Sequence, residues 1–265
     1  AQNLLTATVR RFAGYCQLHD IKLIKNNFEM EYQSNIPFQV GLAGSSAIII
    51  AGLRAMMKYY SVSIGAQELA NLALAVETDE LGIKGGLQDR VAQVYQGLVA
   101  MDFNREFMQR DGYGHYRWLD EKKLSGLYIA YSNRLAESSN VFHSDIRQRF
   151  EDGNPEFSQA IEGWKQLVDQ GIQCIERQDN ETLASLINQN FDYRAALYDV
   201  GPDNLLMIRI ARQAGASAKF AGSGGAIIGT CVDENMYQRL AEKLGAIDVV
   251  VFRPEVAGRY PDLLT

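Results

Sequence analysis

Three short stretches of this chain carry residue types that can do chemistry. The first is Gly41-Leu42-Ala43-Gly44-Ser45-Ser46-Ala47, directly before the apolar run "IIIAGL". Glycine lets a ligand approach the backbone with no β-carbon in the way. The free amides of a helix's first turn, together with the macrodipole, favour an anion there. Ser45 and Ser46 add hydroxyls that could meet a phosphate or a metal ion. A plain helix cap competes with this reading, because serine is a favoured cap and glycine a common turn residue. No lysine precedes the serines, so the stretch is not a Walker A loop.

The second stretch is "AVETDELGIKGGLQDRVAQVYQGLVAMDF", residues 75–103. Glu77 falls near the end of one expected helix, and Asp89 opens another after a Gly-Gly pair. Two carboxylates near a phosphate site suit a phosphotransferase. One can hold Mg²⁺ through oxygen, and the other can accept or orient a hydroxyl proton. The competing reading is structural: Asp89 complements a helix dipole, and Glu77 belongs to a solvated cluster with Asp79 and Glu80. The third stretch, "KFAGSGGAIIGTC", sets Gly222, Ser223, Gly224 and Gly225 between two apolar strands. A hairpin turn accounts for it, and so does close approach to a ligand.

Elements must position these residues. Periodicity predicts helices over 3–19, 46–60 and 66–80, a short helix in "GLQDRVAQVYQ", and a buried strand at 97–103. Alternation in "FEMEYQ" (28–33) predicts a half-buried strand. The polar run 120–125 marks a boundary, giving domains 1–122 and 123–265. After it come a strand at 126–132, a helical region at 143–198 broken at 152–155 and 177–180, and a helix at 203–215. Two strands, a helix at 234–244 and a strand at 246–252 follow. The order is βαββαβ with inserted helices, the ferredoxin-like pattern, and the class is α+β.

Composition narrows the setting. The 265 residues are 47% hydrophobic, enough for one large domain or two ordinary ones. No run is long enough for a membrane span, and the start does not read as a signal peptide. A net charge of −6 argues against a general nucleic-acid surface. Cys16, Cys174 and Cys231 are too sparse for a disulfide framework, so a cytoplasmic setting is expected. His19, His115 and His143 lack metal-ligand spacing.

Taken together and in this order, the three stretches resemble the GHMP kinase family. Its "P-x-x-x-G-L-x-S-S-A" segment is matched by Pro37, Gly41, Leu42, Ser45, Ser46 and Ala47, with one extra residue. "ELGIKGGLQDRVAQVYQGLVAMDF", "GASAKFAGSGGAIIG", "SSNVFHSDIRQRF" (138–150) and "NQNFDYR" (188–194) are similar to the plant glucuronokinase branch. The resemblance implies an ATP- and Mg²⁺-dependent transfer of phosphate to the anomeric hydroxyl of D-glucuronate. A sister kinase for galacturonate, fucose or a heptose, or a non-catalytic nucleotide-binding protein, are the alternatives.

It further implies that residues 41–47 and 222–225 bind nucleotide phosphate, and that Ser46, with Ser45 as substitute, joins Glu77 on the metal. Asp89 is the implied catalytic residue. A sugar carboxylate wants a fork of donors, for which Arg90, Arg134 and Arg194 are candidates. The implied fold pairs a ribosomal-protein-S5-domain-2-like N-terminal half with the ferredoxin-like C-terminal half. Family members carry an N-terminal segment with β-strands and a "G-N-P-S-D-G"-like motif, which these 265 residues do not contain. The expectation is therefore an incomplete N-terminal half, as a fragment or with a second chain supplying that segment.

Overall fold

A computed structural model describes residues 2–135 and 155–259. The stretch 138–150, with His143, lies outside the described residues. By packing the chain divides into two units: residues 1–36, 43–119 and 256–265, and residues 37–42 and 120–255.

The first unit begins with α1 (Gln2–Leu18), followed by α2 (Gly44–Tyr60) and α3 (Ala66–Ala75). A single π turn, Val76–Glu80, extends α3, and α4 (Leu87–Tyr95) follows. The apolar faces expected at a 3.6-residue period meet here: Phe12, Ile49, Leu53, Leu69, Val76 and Val91 are all fully buried in one core. Strands β1 (Leu98–Asp102) and β2 (His115–Leu119) form an antiparallel hairpin, from Leu98 opposite Leu119 to Asp102 opposite His115. Trp118 ties it to the end of α4 by donating Nε1–H to the carbonyls of Tyr95 and Gln96, at 3.2 and 3.1 Å. Between the strands lies α5 (Arg105–Asp111), a helix that the sequence reading passed over. Its signal is Asn104, whose side chain caps it by accepting from the Glu106 amide at 2.8 Å.

The expected strand at 28–33 is not formed. Alternation specifies an extended chain with two unlike faces, but a strand exists only where a neighbour takes its backbone hydrogen bonds. None of the described residues pairs with 28–33.

The second unit contains β3 (Leu127–Tyr131), α6 (Pro155–Arg177), α7 (Asn180–Leu197) and α8 (Pro202–Gln213), then β4 (Lys219–Phe220), β5 (Ala226–Thr230), α9 (Glu234–Gly245) and β6 (Val250–Phe252). The sheet order is β4-β5-β3-β6 with every pair antiparallel. That is the ferredoxin-like order, with α6, α7 and α8 standing where one crossover helix would suffice. Tyr128, Met207, Ile227, Leu240 and Leu244 fill its core. Tyr128 is fully buried yet keeps its hydroxyl satisfied, donating to the Ser217 carbonyl at 2.8 Å. Strand β6 is shorter than the expected 246–252. After α9 the chain first turns, with Asp248 at φ 59° and the Val249 amide bonded back to the Leu244 carbonyl at 3.1 Å. Side-chain caps start α7 and α9: Asp179 accepts from the Thr182 amide and Asp233 from the Met236 amide. All three cysteines are buried free thiols.

Candidate active site

Ala43 decides how α2 begins. It takes the left-handed conformation, φ 56° and ψ 34°, and no side chain caps the helix. The serines sit inside the first turn, one and two residues past Gly44, so they are not the cap that their composition suggested. With no side-chain cap at Ala43, the positive end of the helix dipole is left without a side-chain acceptor there. The Ala43 carbonyl is held from three directions, by the Ala47 amide at 3.2 Å, Ser46 Oγ at 3.0 Å and Gln93 Nε2 at 3.0 Å. Gln93 is a part of the site that sequence reasoning missed. Its only signal was its place one turn beyond Asp89 on the same helix.

The two serines point in different directions. Ser45 is exposed and donates Oγ–H to Glu77 Oε1 at 2.8 Å. Ser46 is 1% exposed and spends its hydroxyl on the Ala43 carbonyl. Ser46 was the expected metal hydroxyl; the structure brings Ser45 to Glu77 instead. Successive helical residues are turned by about 100°, so only one of two neighbours can face a given point.

Glu77 stands on the π turn and is only 2% exposed. The extra residue per turn shifts the register of the helix end, and the Glu77 carbonyl closes onto the Ile83 amide at 2.8 Å. The solvated cluster envisaged for Glu77 is therefore made by its neighbours alone. Asp79 pairs with Arg11 at 2.7 Å, and Glu80 lies 3.6 Å from Arg10. Glu77 Oε2 forms a direct ion pair with Arg90 Nη2.

Arg90 is 6% exposed, and its Nη1 also donates to the Gly86 carbonyl at 2.8 Å. Burial holds its pKa down to about 10, still well above neutrality. The fork expected for a sugar carboxylate is thus occupied by Glu77 and Gly86. Asp89, one residue earlier in the first turn of α4, points outward with its side chain 52% exposed and Oδ2 3.6 Å from Arg90 Nη1. The structure therefore gathers Ser45, Glu77, Arg90 and the Asp89 carboxylate around the starts of α2 and α4.

In the second unit, residues 37–42 pack onto the Gly222–Gly225 loop, backbone against backbone. A β-carbon at Gly41 would lie 2.5 Å from the Gly224 carbonyl oxygen, and one at Gly222 would lie 2.5 Å from that of Gly41. Gly41, Gly224 and Gly225 all have positive φ. Close approach to another backbone is thus one reason for this run of glycines. Two side chains fix the loop's ends. Arg194 on α7 donates Nη1–H to the Gly222 carbonyl at 2.9 Å, and Asn204 on α8 accepts the Gly225 amide at 2.9 Å. Asn204 was not foreseen; a buried asparagine in a helix's first turn looks like a capping residue in sequence. Arg194 lies over the Phe220 ring, 5.0 Å from its centroid. Arg134 sits on the surface in an ion pair with Asp248.

The fold and these residues define a known class. The profile of the GHMP kinases N terminal domain matches residues 3–97, and the chain belongs to the GHMP kinase family; its likeness to sugar kinases of that family makes it an ATP-dependent kinase acting on a hydroxyl group. Within the family, the chain is 40% identical over 245 residues to glucuronokinase 1 of Arabidopsis thaliana, covering 91% of this chain and 67% of that protein. Identity to the probable glucuronokinase 2 of the same plant is also 40%, over 246 residues. Among solved structures, the galactokinase of Lactococcus lactis complexed with galactose superposes with a TM-score of 0.74 at 15% identity, over 96% of this chain and 75% of that one. The phosphomevalonate kinase of Streptococcus pneumoniae gives 0.72 at 16%, over 96% and 82%. These two share the fold. No helix among the described residues is long and apolar enough to cross a membrane.

Proposed function

We propose that this chain is a sugar 1-kinase that transfers the γ-phosphoryl group of ATP to the anomeric hydroxyl of D-glucuronate, releasing ADP and glucuronate 1-phosphate. The observation that carries this reading is the Ser45–Glu77 pair, 2.8 Å apart beside the uncapped start of α2. It occurs in a chain 40% identical to a glucuronokinase.

In this reading, Gly44, Ser45 and the first-turn amides of α2 hold nucleotide phosphates, with Gly41, Leu42, Ala43 and Ala47 shaping the loop. The Gly222–Gly225 loop is assigned to nucleotide phosphate on its likeness to the family's C-terminal glycine motif alone, since its packing on Gly41 is a separate reason for its glycines. Ser45 Oγ and Glu77 Oε1 are hard oxygen donors suited to Mg²⁺. Among the described residues no group of three or more His, Cys, Asp or Glu could hold a metal alone. One carboxylate and one hydroxyl do fit an ion that arrives with the nucleotide and keeps its waters and phosphate oxygens. Bound there, Mg²⁺ would neutralise phosphate charge as it builds up.

Asp89, outward-facing and half exposed, is the base. It orients the anomeric hydroxyl and takes its proton as the new O–P bond forms and the bond to ADP breaks. Arg134 and Arg194 stay as proposed contacts for the glucuronate carboxylate, although here Arg134 pairs with Asp248 and Arg194 donates to the Gly222 carbonyl. Domain 1–122 carries the phosphate, metal and base residues, and domain 123–265 carries the second glycine loop.

A coupled ADP-release assay with Mg-ATP over a panel of uronic acids and neutral sugars tests this, with ³¹P NMR of the product. Turnover confined to glucuronate, with an anomeric phosphate resonance, is the expected result. Turnover with another sugar alone makes the chain a sister kinase, and nucleotide binding without turnover makes it a binding protein.

A further inference from the structure

We propose that Arg90 is a positioning residue for Glu77: its buried guanidinium holds the far carboxylate oxygen so that the near one is presented, beside Ser45, to a nucleotide-borne divalent cation. The proposal rests on the kinase reading above and gives Arg90 a different role from the sugar contact expected of it.

The two oxygens of Glu77 have separate partners. Oε1 accepts from Ser45, and Oε2 pairs with Arg90. The carboxylate is therefore fixed about its own axis. A cation approaching the Ser45 side meets Oε1 without displacing the guanidinium. Arg90 is itself fixed by Gly86, whose carbonyl accepts Nη1–H at 2.8 Å. A β-carbon at Gly85 would come within 3.2 Å of Nη2, so the loop before α4 closes over the guanidinium. The same group lies 3.6 Å from Asp89 Oδ2. One rigid cation thus touches both acids of the proposed chemistry, and it comes from the residue next to the base.

A buried carboxylate with no counter-charge is costly and tends to turn away or take up a proton. Partners behind a metal's direct ligands commonly change its affinity by about 10–100-fold. A merely structural ion pair would alter stability and leave metal dependence alone. The two roles therefore separate on a binding measurement that needs no turnover.

The test is calorimetric titration of the full chain with ATP, in Mg²⁺ and in EDTA. Arg90→Gln should weaken Mg-ATP binding by about tenfold or more while Mg-free ATP binding stays within about threefold of the parent. Arg90→Lys keeps the charge without the fork, and should fall between parent and Arg90→Gln. It also gives a reading if Arg90→Gln does not fold. Parent-like Mg²⁺ dependence in the folded variants would reduce the pair to a structural one. Tighter Mg-ATP binding in either variant would make Arg90 a competitor of the metal, and would equally overturn the proposal. If the parent shows no Mg²⁺-dependent binding, the metal reading of Glu77 falls first and takes this inference with it.

Discussion

Ser45, not Ser46, is the hydroxyl that meets Glu77, at 2.8 Å, while its neighbour is turned into the helix start and bonded to Ala43. The two alanine substitutions should therefore separate. Ser45→Ala is expected to lower kcat/KM for ATP by about 10–100-fold with little change in Tm, as for a lost group at a metal site. Ser46→Ala should instead cost about 1 kcal/mol of stability, the worth of one hydrogen bond. Steady-state kinetics and thermal unfolding of both variants check this. Equal kinetic losses in the pair would contradict the assignment of Ser45.

Asp89 is predicted to act in the chemical step and not in the fold, since its carboxylate is half exposed. Asp89→Asn should lower kcat by about 10²–10⁴. Mg-ATP affinity, measured separately by calorimetry, should stay within a few-fold of the parent. Turnover close to that of the parent would remove Asp89 as the base.

The glycines of the second loop can be tested against a glycine with room to spare. Gly222→Ala would set a β-carbon 2.5 Å from the Gly41 carbonyl oxygen, with backbone on both sides and no flexible group to yield. A cost of about 1–3 kcal/mol is expected from such overpacking. Gly14 lies inside α1 with nothing within 4 Å of a β-carbon. Gly14→Ala should stabilise by about 0.5–1 kcal/mol through helix propensity. Chemical denaturation of the two variants should give opposite signs.

Lys219 should make stability depend on pH in the alkaline range. Burial, helped by the charge of Arg194, lowers its pKa from 10.5 to about 8. Among the described residues its ammonium finds only the Phe220 carbonyl, at 2.8 Å, as its hydrogen-bond acceptor. Below pH 8 the lysine is charged in both folded and unfolded chains, and the burial penalty is present in full. Between about 8 and 10.5 the unfolded chain binds the proton and the folded one does not, so the penalty fades as pH rises. Lys219→Met is therefore expected to be more stable than the parent at pH 7. That advantage should shrink through this window and vanish above it. A difference that stays constant from pH 7 to 10.5 would contradict the assignment.

Much of this molecule could be read from the chain alone. The periodicity of 3–19, 46–60 and 234–244 placed α1, α2 and α9 within two residues of their ends. Element order alone carried the ferredoxin-like half, because a βαββαβ chain has few ways to pair its strands even with helices inserted in one crossover. The stretches "GLAGSSA", "GLQDR" and "GSGG" carried the family. These are local properties: backbone freedom, side-chain period and residue type act within a few positions of one another.

Direction was decided by the tertiary structure. Sequence offered two adjacent serines and three acids at 77, 79 and 80 without saying which would turn inward. A helix spacing of about 100° per residue and one π turn decided that, selecting Ser45 and Glu77. Arg90 read as one of three candidates for the sugar carboxylate; it is buried because α4 packs where its guanidinium can reach Glu77. Residues 28–33 kept their alternation without becoming a strand, since pairing belongs to two segments and not to one. Composition and period fix what a segment can be. Which of its side chains faces the site depends on what packs against it, and that is set by residues far away in the chain.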